Sequence, residues 1–405
     1  MKRINFFLSL CCCIALHSLV GSAAMTGTPD VLPLRRLSQQ AEISLITCSP
    51  SEDAVFTVYG HTALRVFDPA NKIDRVYNYG IFDFSKPNFI YRFAKGETDY
   101  VLGASNFGYF LAEYVSRGSE VCEQVLNLLH KEKEALWNAL EWNALPENRE
   151  YRYNFFFDNC ATRPVQIIED NIQGTIEFEP PANEFPAFRD IINKCTRYRP
   201  WQTFGCDLAL GAPTDRSMTQ KESFFIPENL KNAIEKAEIV REGKSVPLVK
   251  KMNLLAEADQ QPLTTPFYYT PLCCFLLLFL VIGVLTLIEW RSKSYFRLVD
   301  ILLFFAAGLA GCILFFLSFM SVHPCTSPNI SLLWLHPFHL IGIIFFSVKK
   351  WKMMAYWYHF INFAVIIIMS AAWFFLPQHF NIAFIPLIAS LLLRSGWTLV
   401  RKKNG

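Results

Sequence analysis

The chain has 405 residues, 52% hydrophobic and 18% charged, with a formal net charge of +3. So much apolar material excludes an intrinsically disordered chain. Residues 271–405 hold ten Lys/Arg against two Asp/Glu, which leaves residues 25–270 with 26 basic and 33 acidic side chains; a net acidic part of this kind excludes nucleic acid as its partner.

At the start, Lys2 and Arg3 precede the apolar run INFFLSLCCCIALHSLV, and GSAAM supplies small residues for cleavage near Ala23 or Ala24. Residues 1–24 therefore read as a secretory signal peptide, and the mature chain faces an oxidising space. Leu10 before Cys11 is not small, which argues against a lipoprotein signal. AEISLITCSP and AVFTVYGHTALRVFDP predict strands, the second closing at an Asp-Pro turn; DRVYNYGIFDF predicts a third, paired to it across ANKI, and TDYVLGAS a fourth. FGYFLAEYV has helical spacing. So does the long run SEVCEQVLNLLHKEKEALWNALEWNAL, where Val125, Leu128, Leu129, Leu136 and Leu140 fall on one apolar stripe. Tyr151, Tyr153, Phe155 and Phe157 alternate as in a half-buried strand, and VQIIEDN continues as a helix, with Cys160 at the junction. Residues 178–230 are interrupted by prolines and suit short helices, 228–240 predict one more helix, and 241–270 a charged linker. The expected fold class of residues 25–240 is α+β.

Five apolar segments follow, over residues 271–288, 299–320, 330–348, 354–376 and 380–400, each of a length suited to cross a hydrocarbon core of about 30 Å as a helix. The loops EWRSKSYFR and KKWK and the tail RKKNG carry three Lys/Arg each, whereas SVHPCTSPNI and PQHFN carry none. By the positive-inside rule the first span enters from outside. Residues 25–270 are then periplasmic, 271–400 form a five-helix transmembrane domain in the inner (cytoplasmic) membrane, and 401–405 are a cytoplasmic tail. PFYYTP puts aromatic residues at the outer surface. Arg394 is expected to snorkel to the inner surface.

The outer part holds five cysteines, Cys48, Cys122, Cys160, Cys195 and Cys206. An odd number leaves one unpaired; Cys195–Cys206 is the bridge easiest to close, and Cys160 the expected free thiol. A sulfur at a helix start lies in the positive end of the helix dipole, which favours thiolate. The same part has two histidines. His130 sits on a charged helix face, and His61 opens a strand just after a glycine. A Cys and a His together are the minimum for thiol acyl chemistry, the imidazole taking the thiol proton and returning it to the leaving group. A third polar group holds the imidazole tautomer; the next strand offers Asn78 first, then Tyr79 or Asp83. Tyr79 and Arg163 are expected to contact substrate. Arg163, beside the Cys turn, suits a lipid phosphate, or is a plain charge on a helix surface. This chemistry needs no metal and no cofactor.

The segments YGHTALRVFDP, DRVYNYGIFDF and PENREYRYNFFFDNCATRP resemble the N-terminal periplasmic domain of the Lnb-type bacterial lipoprotein N-acyltransferases, and PWQTFGCDLALGAPTD and FFIPENL fit the same domain. The likeness covers residues 40–230 in round terms. It implies Cys160 and His61 as the catalytic pair of a permuted papain-like (NlpC-like) thiol-enzyme domain, His before Cys, with membrane lipids and diacylglyceryl-modified lipoproteins as partners. A more distant likeness is to the lecithin–retinol acyltransferase group, which also sets a His strand ahead of an Asn-Cys helix start. The implied function is transfer of a fatty acyl chain from a glycerolipid ester to the α-amino group of a lipoprotein's N-terminal cysteine. The donor is either a phospholipid or the lipoprotein's own diacylglycerol. Two other readings stay open: an NlpC-like cell-wall peptidase or amidase, and a non-enzymatic envelope module with a disulfide-linked Cys160.

Overall fold

The computed structural model describes residues 36–82, 87–181, 183–259 and 264–403. The expected signal peptide, Asp83 and the end of the expected tail lie outside the described residues. β1 (Glu42–Cys48), β2 (His61–Asp68), β3 (Ile73–Ile81), β4 (Asp99–Asn106), β5 (Val121–Leu126), β6 (Glu150–Arg152) and β10 (Val249–Ala256) form one antiparallel sheet in the order β10-β5-β1-β2-β3-β4-β6. Two helices, α1 (Phe89–Lys95) and α2 (Phe107–Ser116), flank β4 in sequence. Phe110 and Tyr114 of α2 cover Ile46, Ala63 and Val76 on one face of the sheet. On the other face α3 (His130–Ala144), α4 (Thr162–Asn171) and α8 (Pro227–Lys236) bury Leu140, Ile168 and Leu230 with Leu45, Leu64 and Tyr77. Covering both faces explains why every residue of β1 after Glu42 is buried, with no alternation of buried and exposed positions.

Three expectations change. The long run from Ser119 is a strand before it is a helix: β5 pairs on both edges, with β1 and β10, and all six of its residues are buried. Ladder pairing there overrides helical spacing, and the helix begins only at His130, where the Glu132 carboxylate takes the Leu129 N–H at 2.7 Å. The aromatic run is strand only over β6. Beyond it Asn154 Oδ1 takes the N–H groups of Phe156 and Phe157, folding a turn that buries Phe156 against Phe188 and Phe225. Finally, about half of the described part of the expected linker is sheet. β8 (Glu238–Arg241) and β9 (Lys244–Pro247) join β7 (Thr175–Glu177) in a second sheet, and β10 adds an edge to the first. Lys250 and Lys251, which suggested a linker, are exposed charges on an edge strand, a placement that blocks further pairing.

Short helices α5 (Phe188–Thr196), α6 (Pro200–Ala209) and α7 (Gln220–Ser223) occupy the proline-rich region as expected. Among the described residues, five helical segments are long and apolar enough to cross a membrane: α9 (Pro271–Ser292), α10 (Arg297–Phe319), Ile330–Ser347, α12 (Lys352–Ala371) and α13 (Phe384–Lys403). The third is broken. A 3-10 turn over Ile330–Leu333 precedes Pro337, and only α11 (Phe338–Ser347) is α-helix. His339 spans the break, its Nε2–H donating to Trp334 O at 2.9 Å while Nδ1 meets the Tyr358 hydroxyl, so both ring nitrogens have protein partners. Arg394 does not snorkel. It is fully buried, with Nε 2.6 Å from Asp300 and Nη1 2.8 Å from Glu289, both also fully buried. Two carboxylates inside the bundle make a buried guanidinium less costly than a lone one would be.

The extramembrane domain is seated on the spans. Phe204 of α6 packs with ring centroids 5.1 Å from Phe275 and 5.2 Å from Phe384, and the Trp201 indole N–H donates to Tyr269 O at 2.6 Å. Gly211 N donates to Cys325 O at 2.7 Å, and the Asn381 amide donates to Asp207 at 2.8 Å. Residues 325 and 381 belong to the two uncharged loops. The domain therefore lies at the end of the bundle opposite the basic loops, as the loop charges predicted.

Candidate active site

The site forms where the β2–β3 ladder stops. Pairing runs from Asp68↔Ile73 to Leu64↔Tyr77, and the β3–β4 register slips between Asn78 and Ile81. Gly80 sits in that bulge at φ 94, which an L side chain rarely adopts. A Cβ there would stand 3.4 Å from the Tyr153 ring and 3.5 Å from Cys160 Cβ, ordinary contact distances that place the bulge directly beside the cysteine. At the other edge of the gap, Gly60 at φ 78 turns the chain into β2, whose first residue is His61.

Cys160 is held by its neighbour. Asn159, 1% exposed, accepts the N–H groups of Ala161 and Thr162 at 2.8 and 3.0 Å on Oδ1. Its amide donates to Phe155 O and Phe225 O at 2.8 and 2.7 Å. One side chain thus takes two N–H groups at the start of α4 and ties the turn to two other segments. Cys160 lies between this clamp and the first helical residue, half-buried and with a free thiol. The N–H groups of Thr62 and of Cys160 itself, and the Tyr153 hydroxyl, point at its sulfur. Thr62 follows His61 directly, so the sulfur rests against the backbone step that carries the imidazole. The His61 ring is stacked on Tyr114, centroids 5.8 Å apart, and its Nε2 is hydrogen-bonded to Asn78 Oδ1. Since Oδ1 accepts, Nε2 carries the proton and Nδ1 keeps a lone pair.

The electrostatics reverse one expectation. Burial pushes the Cys160 thiol up to about 11, against the lowering effect of the Thr62 N–H, its own N–H and the Tyr153 hydroxyl. Burial likewise pushes His61 down to about 4, opposed by the Asn78 hydrogen bond and reinforced by the Arg117 charge. A helix N-terminus contributes about 0.3–1 kcal/mol, under one pKa unit at 1.36 kcal/mol each, whereas desolvation moves buried groups by several. Desolvation wins. The pair rests as thiol and neutral imidazole, not as thiolate and imidazolium.

Of the other expected contacts, Tyr79 is 2% exposed in the core, its hydroxyl accepting the Asn143 amide at 3.0 Å, so it presents no surface to a substrate. Arg163 gives Nε and Nη2 to Asp158 at 2.5 and 2.8 Å and lies over the Tyr151 ring at 4.0 Å; its fork is occupied by a carboxylate instead of a phosphate. Cys195 and Cys206 are free thiols, with Cys206 Sγ 4.0 Å from the Tyr59 hydroxyl, so the expected bridge is not formed. Sequence reasoning missed Asn159, Thr62, Tyr114 and Tyr153. Asn159 was legible as an Asn one residue ahead of the junction cysteine. The other three come together only through the sheet. Among the described residues no three His, Cys, Asp or Glu side chains are arranged to hold a metal ion.

An α+β domain seated on a bundle of five apolar helices defines a multi-pass membrane protein, and a cysteine, a histidine and an asparagine stand at one gap in its sheet. The Lnb N-terminal periplasmic domain matches residues 37–194, and the Lnb transmembrane domain matches residues 263–404. With both halves matched in order, the chain belongs to the Lnb-type family, and membership supports a lipoprotein-modifying function at a membrane. No curated protein and no solved structure matches the chain.

Proposed function

We propose that this chain is a thiol acyltransferase of the inner membrane, acting on its periplasmic side. It moves a fatty acyl chain from a glycerolipid ester to the α-amino group of a lipoprotein's N-terminal cysteine, within a permuted papain-like arrangement. The observation that carries this reading is the sulfur of Cys160 lying against the His61–Thr62 step while Asn78 fixes the His61 ring.

Because the resting pair is neutral, the first step is general-base catalysis. His61 Nδ1 takes the thiol proton as the sulfur attacks the ester carbonyl. The C–S bond forms, and the oxyanion is met by the N–H groups of Thr62 and Cys160. The ester C–O bond then breaks, and the proton on Nδ1 passes to the departing glycerol oxygen. In the second half the lipoprotein amine attacks the thioester and gives its proton to His61. The C–N bond forms, the C–S bond breaks and the sulfur recovers the proton. Asn78 stabilises the transient imidazolium through Nε2–H. The seat of the domain on five spans supports lipid substrates, since both remain in the bilayer and the site is held beside them. The aromatic surround of the sulfur supports an apolar ligand over a cell-wall peptide.

Purified full-length protein in phospholipid vesicles, given a diacylglyceryl lipopeptide, is expected to yield the N-acyl lipopeptide by mass. With His61 titrating near 4 and Cys160 near 11, the base stays neutral and the thiol protonated between those values. The rate of Cys160 acylation is expected to vary less than about threefold from roughly pH 6 to 9, and to fall only as His61 protonates near 4. A tenfold rise per pH unit across that window contradicts the general-base step, because it is the signature of free thiolate attack.

A further inference from the structure

A row of aromatic rings runs from the sulfur to the membrane helices. Tyr153, whose hydroxyl meets Cys160, stacks on Tyr100 with centroids 4.2 Å apart. Tyr100 lies 5.1 Å from Phe82, Phe82 lies 6.1 Å from Phe89, and Phe89 lies 6.1 Å from Phe93. The last two rings belong to α1, and α1 stands on the end of α10. Its Lys95 O accepts the Val322 N–H at 2.8 Å, His323 Nε2 meets Phe93 O at 2.6 Å, and Tyr91 lies 6.0 Å from Phe316.

For a helix in this place α1 is unusual. Its sequence is FIYRFAK, yet none of its residues is buried; Ile90 is 65% exposed, Tyr91 55% and Phe93 47%. Single exposed apolar residues are ordinary, but a contiguous set at the end of a spanning helix is covered by lipid rather than water. Arg92 and Lys95 are turned to Asp99 and Glu97 at 2.7 Å each, giving the helix one charged side and one apolar side. At the inner end of the path Ile81, 41% exposed, directly follows Gly80. Followed ring to ring, the four steps make a path at least as long as the roughly 15 Å that one acyl chain spans in a hydrocarbon core of ~30 Å.

We propose that α1 and this ring series form the entrance through which one acyl chain of a membrane glycerolipid leaves the leaflet nearest the domain and brings its ester to Cys160. The proposal rests on the acyltransferase reading and adds to it the route and the residues that select a long apolar chain. Aromatic faces suit such a route, because they offer apolar area with little side-chain entropy to lose.

The experiment uses full-length protein in vesicles of phosphatidylethanolamine bearing a diazirine near the end of one acyl chain. Cys160→Ala holds the lipid unreacted; after irradiation, labelled peptides are mapped by mass. Label is expected on the peptides carrying Phe89, Phe93 and Tyr100, and Ile90→Asp, a change at an exposed position, is expected to lower it at least fivefold. Label confined to the spanning helices, or undiminished by Ile90→Asp, overturns the entrance. Acylation of Cys160 by the same lipid is read in the unsubstituted protein. Its absence defeats the acyltransferase reading itself, whereas its presence with no label on α1 defeats only the route.

Discussion

Replacing Cys160 with Ala is expected to lower lipoprotein N-acylation by at least about 10³-fold, a loss of roughly 4 kcal/mol of transition-state stabilisation. The reason lies in the site: the sulfur forms the only covalent link in the proposed sequence. His61→Ala is expected to approach the same loss, because a thiol pushed up to about 11 has almost no thiolate at neutral pH and needs its base. Asn78→Ala is expected to cost about 10- to 100-fold, since the ring keeps its chemistry and loses its fixed tautomer. The mass of lipoprotein N-termini from cells carrying each variant measures all three, with the thermal unfolding of each purified protein as the check on folding. Cys160 packs beside Gly80, and the backbone groups that point at its sulfur are only those of its own turn and Thr62, so the fold is expected to survive the change to alanine. An Ala variant with normal lipoprotein masses contradicts the mechanism.

Arg189→Ala is expected to be the most damaging single change to the seat of the domain. Arg189 is 2% exposed, with Nε 2.8 Å from Asp215 and Nη1 3.1 Å from Asp207, both carboxylates also buried. Its remaining donors reach Leu210 O, Gly211 O and Thr214 Oγ1 at 3.0, 3.1 and 2.9 Å. The two aspartates pass the network on to the loop before α13: Asp207 accepts the Asn381 amide, and Asp215 meets His379 Nδ1 at 2.9 Å. Removing the guanidinium leaves two buried carboxylates without their counter-charge, which costs about 3–5 kcal/mol. Arg189→Lys is expected to recover only part of this, because one ammonium cannot replace five donors held in a plane. Thermal unfolding of the full-length protein in detergent measures the effect. An Arg189→Ala midpoint within about 1 °C of the parent contradicts the role assigned to this network.

How much of this was legible beforehand depended on whether the signal was local. The strands Glu42–Cys48, His61–Asp68 and Ile73–Ile81 and the five spans follow from patterns within one segment; the second strand begins only at His61, after a 3-10 turn over Thr57–Tyr59 that the apolar pattern hid, and the third span is α-helix only from Phe338. Asn78 was readable as well, because strand adjacency through a short turn fixes which residues of β3 lie beside those of β2. Misreadings came where distant chain decides. Val121–Leu126 has helical spacing but is claimed by two neighbouring strands, and Val249–Ala256 has the charges of a linker but adds to the sheet edge. Arg394 has a snorkelling position by sequence; Glu289 and Asp300, about a hundred residues earlier, keep it inside. The charge state of Cys160 failed for a related reason. A helix start is visible in sequence, whereas the burial that outweighs it is a property of the assembled sheet.

The proposed mechanism turns on one sulfur. The direct measurement is the intact mass of the full-length protein after brief incubation in phospholipid vesicles without lipopeptide, followed by peptide mapping. The account predicts one added acyl mass on the peptide containing Cys160, removed by hydroxylamine and transferred to the lipopeptide when it is supplied. An unmodified Cys160 peptide in protein that still N-acylates the lipopeptide contradicts it.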